Sequence, residues 1–85
     1  MNKFFELFYR CAGKMKGLAL IVTIAPYGQW RVQVNWKDAC KRGGDMIIAF
    51  AEEPYREDAY EAAYERLNKW IETHKEDINE RIRNM

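Results

Sequence analysis

The chain contains no serine, a single histidine, two cysteines and only two prolines. Each scarcity closes off chemistry. With Thr23 and Thr73 as the only aliphatic hydroxyls, a serine nucleophile paired with histidine is impossible, and serine-hydrolase chemistry is excluded. Cys11, Cys40 and His74 show no Cys-x-x-Cys or His-x-x-x-His spacing, so neither a zinc site nor another metal site is expected. No Gly-x-x-x-x-Gly-Lys or Gly-x-Gly-x-x-Gly run is present; Gly43-Gly44 follows Lys41-Arg42 but precedes a strand pattern, so no phosphate-binding cofactor is expected. Two cysteines allow at most one disulfide, too few for the stapled scaffolds of small secreted domains, which points to reduced thiols in the cytoplasm.

Long hydrophobic runs are also missing. The eight-residue stretch Leu18 to Ala25 falls far short of the roughly 20 residues that cross a bilayer. It is not read as a signal-peptide core, because Phe4, Phe5, Leu7 and Phe8 interrupt the basic segment before it at helical spacing, and Pro26 follows the only small-residue cleavage candidate. What remains is the composition of a folded domain: 85 residues, 48% hydrophobic and 32% charged, with Gly and Pro together 7. One compact domain over residues 1–85 is expected. The net charge of +1 hides a split. Residues 1–42 carry eight basic against two acidic side chains, a net +6; residues 43–85 carry six against eleven, a net −5.

Periodicity supplies the elements. Phe4, Phe8, Cys11 and Met15 form the stripe of a short amphipathic helix, with Gly17 a plausible stop. Leu18 to Ala25 reads as a strand ending at Pro26-Tyr27-Gly28, where a hairpin follows. From Gln29 to Lys37 the alternation is strict, with Trp30, Val32, Val34 and Trp36 inward and Arg31, Gln33, Asn35 and Lys37 outward. Asp38 to Asp45 reads as a loop, and Met46 to Ala51 as a third strand with Met46, Ile48 and Phe50 inward. Pro54 suits the entry to a last helix, since a proline in the first turn loses no hydrogen bond, and the buried face of that helix carries Tyr60, Ala63, Tyr64, Leu67, Ile71 and His74. Thr73-His74-Lys75-Glu76 has a capping-box pattern, so Asp77 to Met85 is either a separate helix or an extension. The expected class is α+β: a helix, a three-stranded antiparallel sheet and a C-terminal helix, αβββα.

Catalysis finds few supports. Cys11 beside Arg10 and Cys40 beside Lys41 invite a lowered thiol pKa, yet Cys11 lies on the apolar stripe, where cysteine acts as a small hydrophobe. His74 continues a buried face without a visible partner, and Glu52-Glu53 reads as a solvated pair. The domain is therefore expected not to be an enzyme, and two surfaces become candidates for binding. One is the polar sheet row of Arg31, Gln33, Asn35 and Lys37. The other is the acidic flank of the last helix, Glu57, Glu61, Glu65 and Glu72, whose like charges at helical spacing cost about 0.2–0.5 kcal/mol per pair unless a basic partner offsets them. Either surface suits a larger protein or nucleoprotein. A nucleic-acid interface built on Arg31, Lys37, Lys41 and Arg42 is the alternative, although the aromatics that stack on bases are expected on the inward face. A thiol enzyme using Cys40 is a third reading, and edge-strand pairing into a homodimer is open.

Two families share features with this pattern. The helix, three strands, helix order and the Ala-rich segment Ala59-Tyr60-Glu61-Ala62-Ala63-Tyr64-Glu65-Arg66-Leu67 resemble the double-stranded-RNA-binding domain. That resemblance implies the same αβββα topology and phosphate contacts at the start of the last helix, where this chain has Arg56, Glu57 and Asp58 in place of the family's lysines. In size, absent catalytic motifs and the acidic flank of Glu57, Glu61, Glu65 and Glu72, the chain is also similar to small phage and mobile-element accessory proteins of the anti-CRISPR type. This second resemblance implies an inhibitor that occupies the nucleic-acid-binding site of a larger machine.

Overall fold

A computed structural model describes residues 2–36, 46–76 and 78–79. It contains helix α1 (Lys3–Ala12), strands β1 (Leu18–Ile24), β2 (Trp30–Trp36) and β3 (Met46–Glu53), and helix α2 (Arg56–Thr73). The strands form one antiparallel sheet in the order β1-β2-β3. Both helices lie on the same side of it, with α2 against β3 and β2 and α1 against α2 and the end of β1. The αβββα class holds.

Helix α1 begins where Asn2 caps it, its Oδ1 accepting from the Phe5 N–H at 2.9 Å, and it buries Phe4, Leu7, Phe8 and Cys11 on one stripe. Asn2→Ala is expected to cost about 0.5–2 kcal/mol, seen as a lower urea midpoint with unchanged m-value. The helix ends before Gly17. Backbone bonds from Lys14 and Met15 to the Cys11 carbonyl tighten the chain into a turn, which keeps Met15 buried after the helix has stopped. Gly17 then takes a φ of 88°, a left-handed geometry that glycine adopts without cost, and turns the chain into β1. The β1–β2 hairpin closes on Pro26-Tyr27. Gly28 N–H donates to the Ala25 carbonyl at 2.8 Å, Gly28 supplies φ 86°, and the ladder starts with Ala25 N–H donating to the Gln29 carbonyl at 2.8 Å.

The inward row of β2 anchors the core. Val32, Val34 and Trp36 are buried, Trp36 at 1% exposure, and Trp30 is half-buried under the Arg56 guanidinium, which lies 5.8 Å from its ring centroid. The Trp36 ring meets Trp70 edge-on at 6.0 Å, and its Nε1–H donates to the Lys16 carbonyl at 3.1 Å, so a buried polar atom is satisfied. Helix α2 buries Ala59, Ala63 and Leu67, with Tyr60, Tyr64, Trp70 and Ile71 packed around them. Ala59 and Trp70 thus join the expected face, while His74 closes it by stacking on Trp70 at 4.3 Å.

Three local expectations are corrected. Strand β3 contains a bulge: Val34 pairs with Ala49 while Asn35 pairs with Ile47, so Ile48 is extra and the alternation shifts by one. Ile48, Ala49 and Ala51 are buried, whereas Met46 and Phe50 are exposed. The physical reason lies across the core. Ala49 and Ala51 on β3 are buried in one cluster with Ala59 and Ala63 on α2, a meeting of small side chains that a phenylalanine would hold apart. Pro54 precedes α2 instead of standing in its first turn; Tyr55 is the N-cap residue and gives no side-chain cap. The capping box also does not form, because Thr73 Oγ1 donates back to the Lys69 carbonyl at 2.8 Å. The chain turns at His74, then Lys75, Glu76, Ile78 and Asn79 are again helical, with Ile78 N–H bonded to the His74 carbonyl at 2.9 Å and its side chain in the core.

Candidate interaction surface

The sheet's second face is covered by no described helix, and its register sets out three cross-strand rows. Thr23, Arg31 and Glu52 form one, Ile21, Gln33 and Phe50 the next, and Ala19, Asn35 and Ile47 the third. The central strand supplies the polar residues. They are already engaged with one another and their neighbours: Arg31 Nε donates to Glu52 Oε2 at 2.8 Å, and Gln33 Nε2 donates to Asn35 Oδ1 at 3.0 Å. The Arg31 guanidinium also lies 5.8 Å from the Phe50 ring centroid. The edges of this face are apolar and open, with Ile21 at 41%, Phe50 at 39% and Ile47 at 52% exposure.

The described part of the expected basic row, Arg31, Gln33 and Asn35, is thus neutral. Glu52 neutralises Arg31, so the described part of the face carries a balanced ion pair with isoleucine and phenylalanine around it. Sequence reading named Arg31, Gln33 and Asn35, which the sheet does bring together, and missed Ile21, Ile47 and Phe50. The bulge hid Phe50, whereas Ile47, which precedes it, faces outward in the plain alternation as well. The adjacent pair Ile47-Ile48, which breaks strict alternation, and the small-large-small order Ala49-Phe50-Ala51 were the available signals. Lys37, Cys40, Lys41 and Arg42 lie outside the described residues.

The acidic flank is exposed at Glu57, Glu61, Glu65 and Glu72, but cations are interspersed along it. Arg56 Nη2 is 3.7 Å from Glu57 Oε1. Glu57 and Glu61 share an open cleft of about 610 Å³ with Lys3, Arg56 and the Phe5 and Tyr60 rings. Glu72 borders a smaller one of about 230 Å³ with Arg10, Lys14 and Lys75. Lys3 Nζ stands 4.9 Å from the Tyr64 ring centroid, so the first helix contributes positive charge to the same side.

Among the described residues no three His, Cys, Asp or Glu side chains converge to hold a metal ion. His74 Nδ1 lies 2.9 Å from the Trp70 carbonyl, a structural contact at a helix end. Cys11 borders the smaller cleft but is itself buried. Burial pushes its thiol above the ordinary range, outweighing the opposite pull of Arg10 and Lys14. Its neutral form is favoured by folding, so this contribution to stability is complete below the unfolded thiol's pKa and is lost as pH rises through the raised folded value. Native Cys11 is expected to react with iodoacetamide at neutral pH at least about tenfold more slowly than in urea, by mass spectrometry of the labelled peptide.

No described helix is long and apolar enough to cross a membrane. Comparison with protein-family models, curated proteins and solved structures finds no match for this chain.

Proposed function

We propose that this domain is a non-enzymatic binding module that docks on a larger protein or nucleoprotein complex through the open face of its sheet. It acts by occupying a surface. The observation that carries this reading is the grouping of Ile21, Ile47 and Phe50, exposed together around Arg31, Gln33 and Asn35. Exposed apolar side chains flanking polar groups that already have hydrogen-bond partners suit a protein surface, where apolar contact excludes water and no buried polar group is left unpaired. The pairing of Arg31 with Glu52 favours a protein surface over a phosphate backbone, which would compete with the carboxylate for the same guanidinium. An inhibitor or modulator of the phage accessory kind, confined to the cytoplasm, is the biological role this reading groups it with.

The test compares three baits in affinity capture from lysate of the expressing cell: the native chain, Ile47→Thr/Phe50→Gln, and Glu61→Lys/Glu65→Lys. The native chain and the charge-reversed variant are expected to retain one partner that the sheet-face variant loses. Loss with the charge-reversed bait alone would assign the contact to the acidic flank of α2. If the partner is nucleic acid, held by Arg31, Lys37, Lys41 and Arg42, affinity for duplex or single strand falls steeply with salt; a flat titration rejects that reading.

A further inference from the structure

The two edges of the sheet are treated differently. In the β1–β2 ladder, Ala25 bonds to Gln29 in the same register that pairs Ile21 with Gln33, so Ala19, Ile21 and Thr23 direct their N–H and C=O groups toward β2. Leu20, Val22 and Ile24 therefore direct theirs away from the sheet. On the opposite edge the corresponding outward carbonyl, that of Phe50, is taken by the Arg66 guanidinium reaching over from α2. Strand β3 also carries the bulge at Ile48 and the acids Glu52 and Glu53, devices that blunt an edge. Strand β1 has none of these. Leu18–Ile24 contains no charge, no proline and no bulge, and no described element lies beyond it.

We propose that β1 pairs with β1 of a second copy of this chain, antiparallel about a two-fold axis at Ile21, joining two three-stranded sheets into one of six strands. The strand is self-complementary for this register. Leu20 meets Val22 of the other copy and Leu18 meets Ile24, all residues whose backbone groups point outward, while Ile21 meets its own mate in the closely spaced, non-hydrogen-bonded position. No like charges come opposite one another anywhere along Leu18–Ile24. Just outside the strand, Lys16 faces Pro26 of the other copy in this register, so the nearest cation also has no cationic mate.

Both faces of the pairing are apolar. On the helix side Leu18, Leu20 and Val22 are only half-buried and Ile24 is 61% exposed, because α2 lies along β3 and leaves β1 thinly covered. On the open side the two Ile21 side chains make the apolar patch of one copy continuous with that of the other. Pairing thus satisfies open backbone groups and covers side chains that the monomer leaves half in water. It stands independently of what the open face binds, since its test needs no partner.

The experiment is sedimentation equilibrium of the native chain between about 1 and 100 μM, with two variants beside it. The native protein is expected at twice its 10.2 kDa chain mass. Val22→Pro removes an outward edge donor without touching the β1–β2 ladder, and Ile21→Lys sets two ammonium groups face to face. Each is expected to weaken the dimer by at least about tenfold while keeping the native circular dichroism. The register is read separately in a Cys40→Ala background. Oxidation is expected to join Ile21→Cys into a covalent dimer and to leave Thr23→Cys, which faces Ala19 of the other copy, unjoined. A native chain that is monomeric throughout, a dimer indifferent to both variants, or equal cross-linking at positions 21 and 23 would each overturn the proposal.

Discussion

Trp36→Ala is expected to abolish stable folding or to lower Tm by at least about 15 °C. The side chain is the largest of the fully buried ones, and truncating it costs about 3–5 kcal/mol, most of it from a cavity the surroundings cannot fill. A chain of 85 residues has only about 4–13 kcal/mol of total stability to lose. The effect is concentrated because Trp36 joins three parts of the molecule. It ends the inward row of β2, meets Trp70 of α2 edge-on, and holds the turn before β1 through its bond to the Lys16 carbonyl. Trp36→Phe separates these contributions. It keeps most of the apolar volume and loses the indole donor, so a smaller cost of about 1–2 kcal/mol is expected, with cooperative unfolding retained in urea.

The second large effect is on association. Ile47→Thr/Phe50→Gln is expected to weaken partner binding by about 2 kcal/mol or more, roughly 30-fold, because buried aromatic and aliphatic anchors carry most of an interface's energy. Stability should change by no more than about 1 kcal/mol, since both side chains lie on the open face and threonine keeps the strand preference of the residue it replaces. Neither substitution alters net charge, so Arg31 keeps Glu52 as its ion-pair partner while losing the Phe50 ring beside it. Loss of binding with retained Tm in titration calorimetry would therefore report the apolar contact itself.

The parts of the fold that sequence made legible are those where side-chain period and backbone period agree. Trp30, Val32, Val34 and Trp36 alternate without interruption, so one reading of β2 suffices, and the stripe of Phe4, Phe8 and Cys11 fixes the buried side of α1. Strand β3 could not be read in the same way. A bulge moves every residue after it to the other face, and the buried cluster that takes in Ala49, Ala51, Ala59 and Ala63 does not exist until the chain has folded. That single displacement turned Phe50 outward and placed an aromatic on a face that reads as wholly polar. The polarity of the row was legible in Arg31, Gln33 and Asn35, but the neutralisation of Arg31 was not, because Glu52 is paired with it only by the β2–β3 register.

The acidic flank shows the opposite case. Glu57, Glu61, Glu65 and Glu72 follow from helical geometry alone, and all four are exposed as expected. Tertiary structure changes what they mean, since Lys3, Arg10 and Lys14 arrive from the first helix and the turn after it to border the same clefts. A flank that is acidic along one helix becomes a mixed surface once a second helix packs beside it.

Docking by the uncovered side of the sheet is read out residue by residue in an amide footprint of the isotopically labelled domain titrated with its captured partner. Resonances of residues 19–23, 31–35 and 47–52 are expected to shift or broaden, while those of Glu57, Glu61, Glu65 and Glu72 stay in place. A footprint confined to α2, with the sheet resonances unmoved, would place the contact on the acidic flank and rule out docking by the sheet.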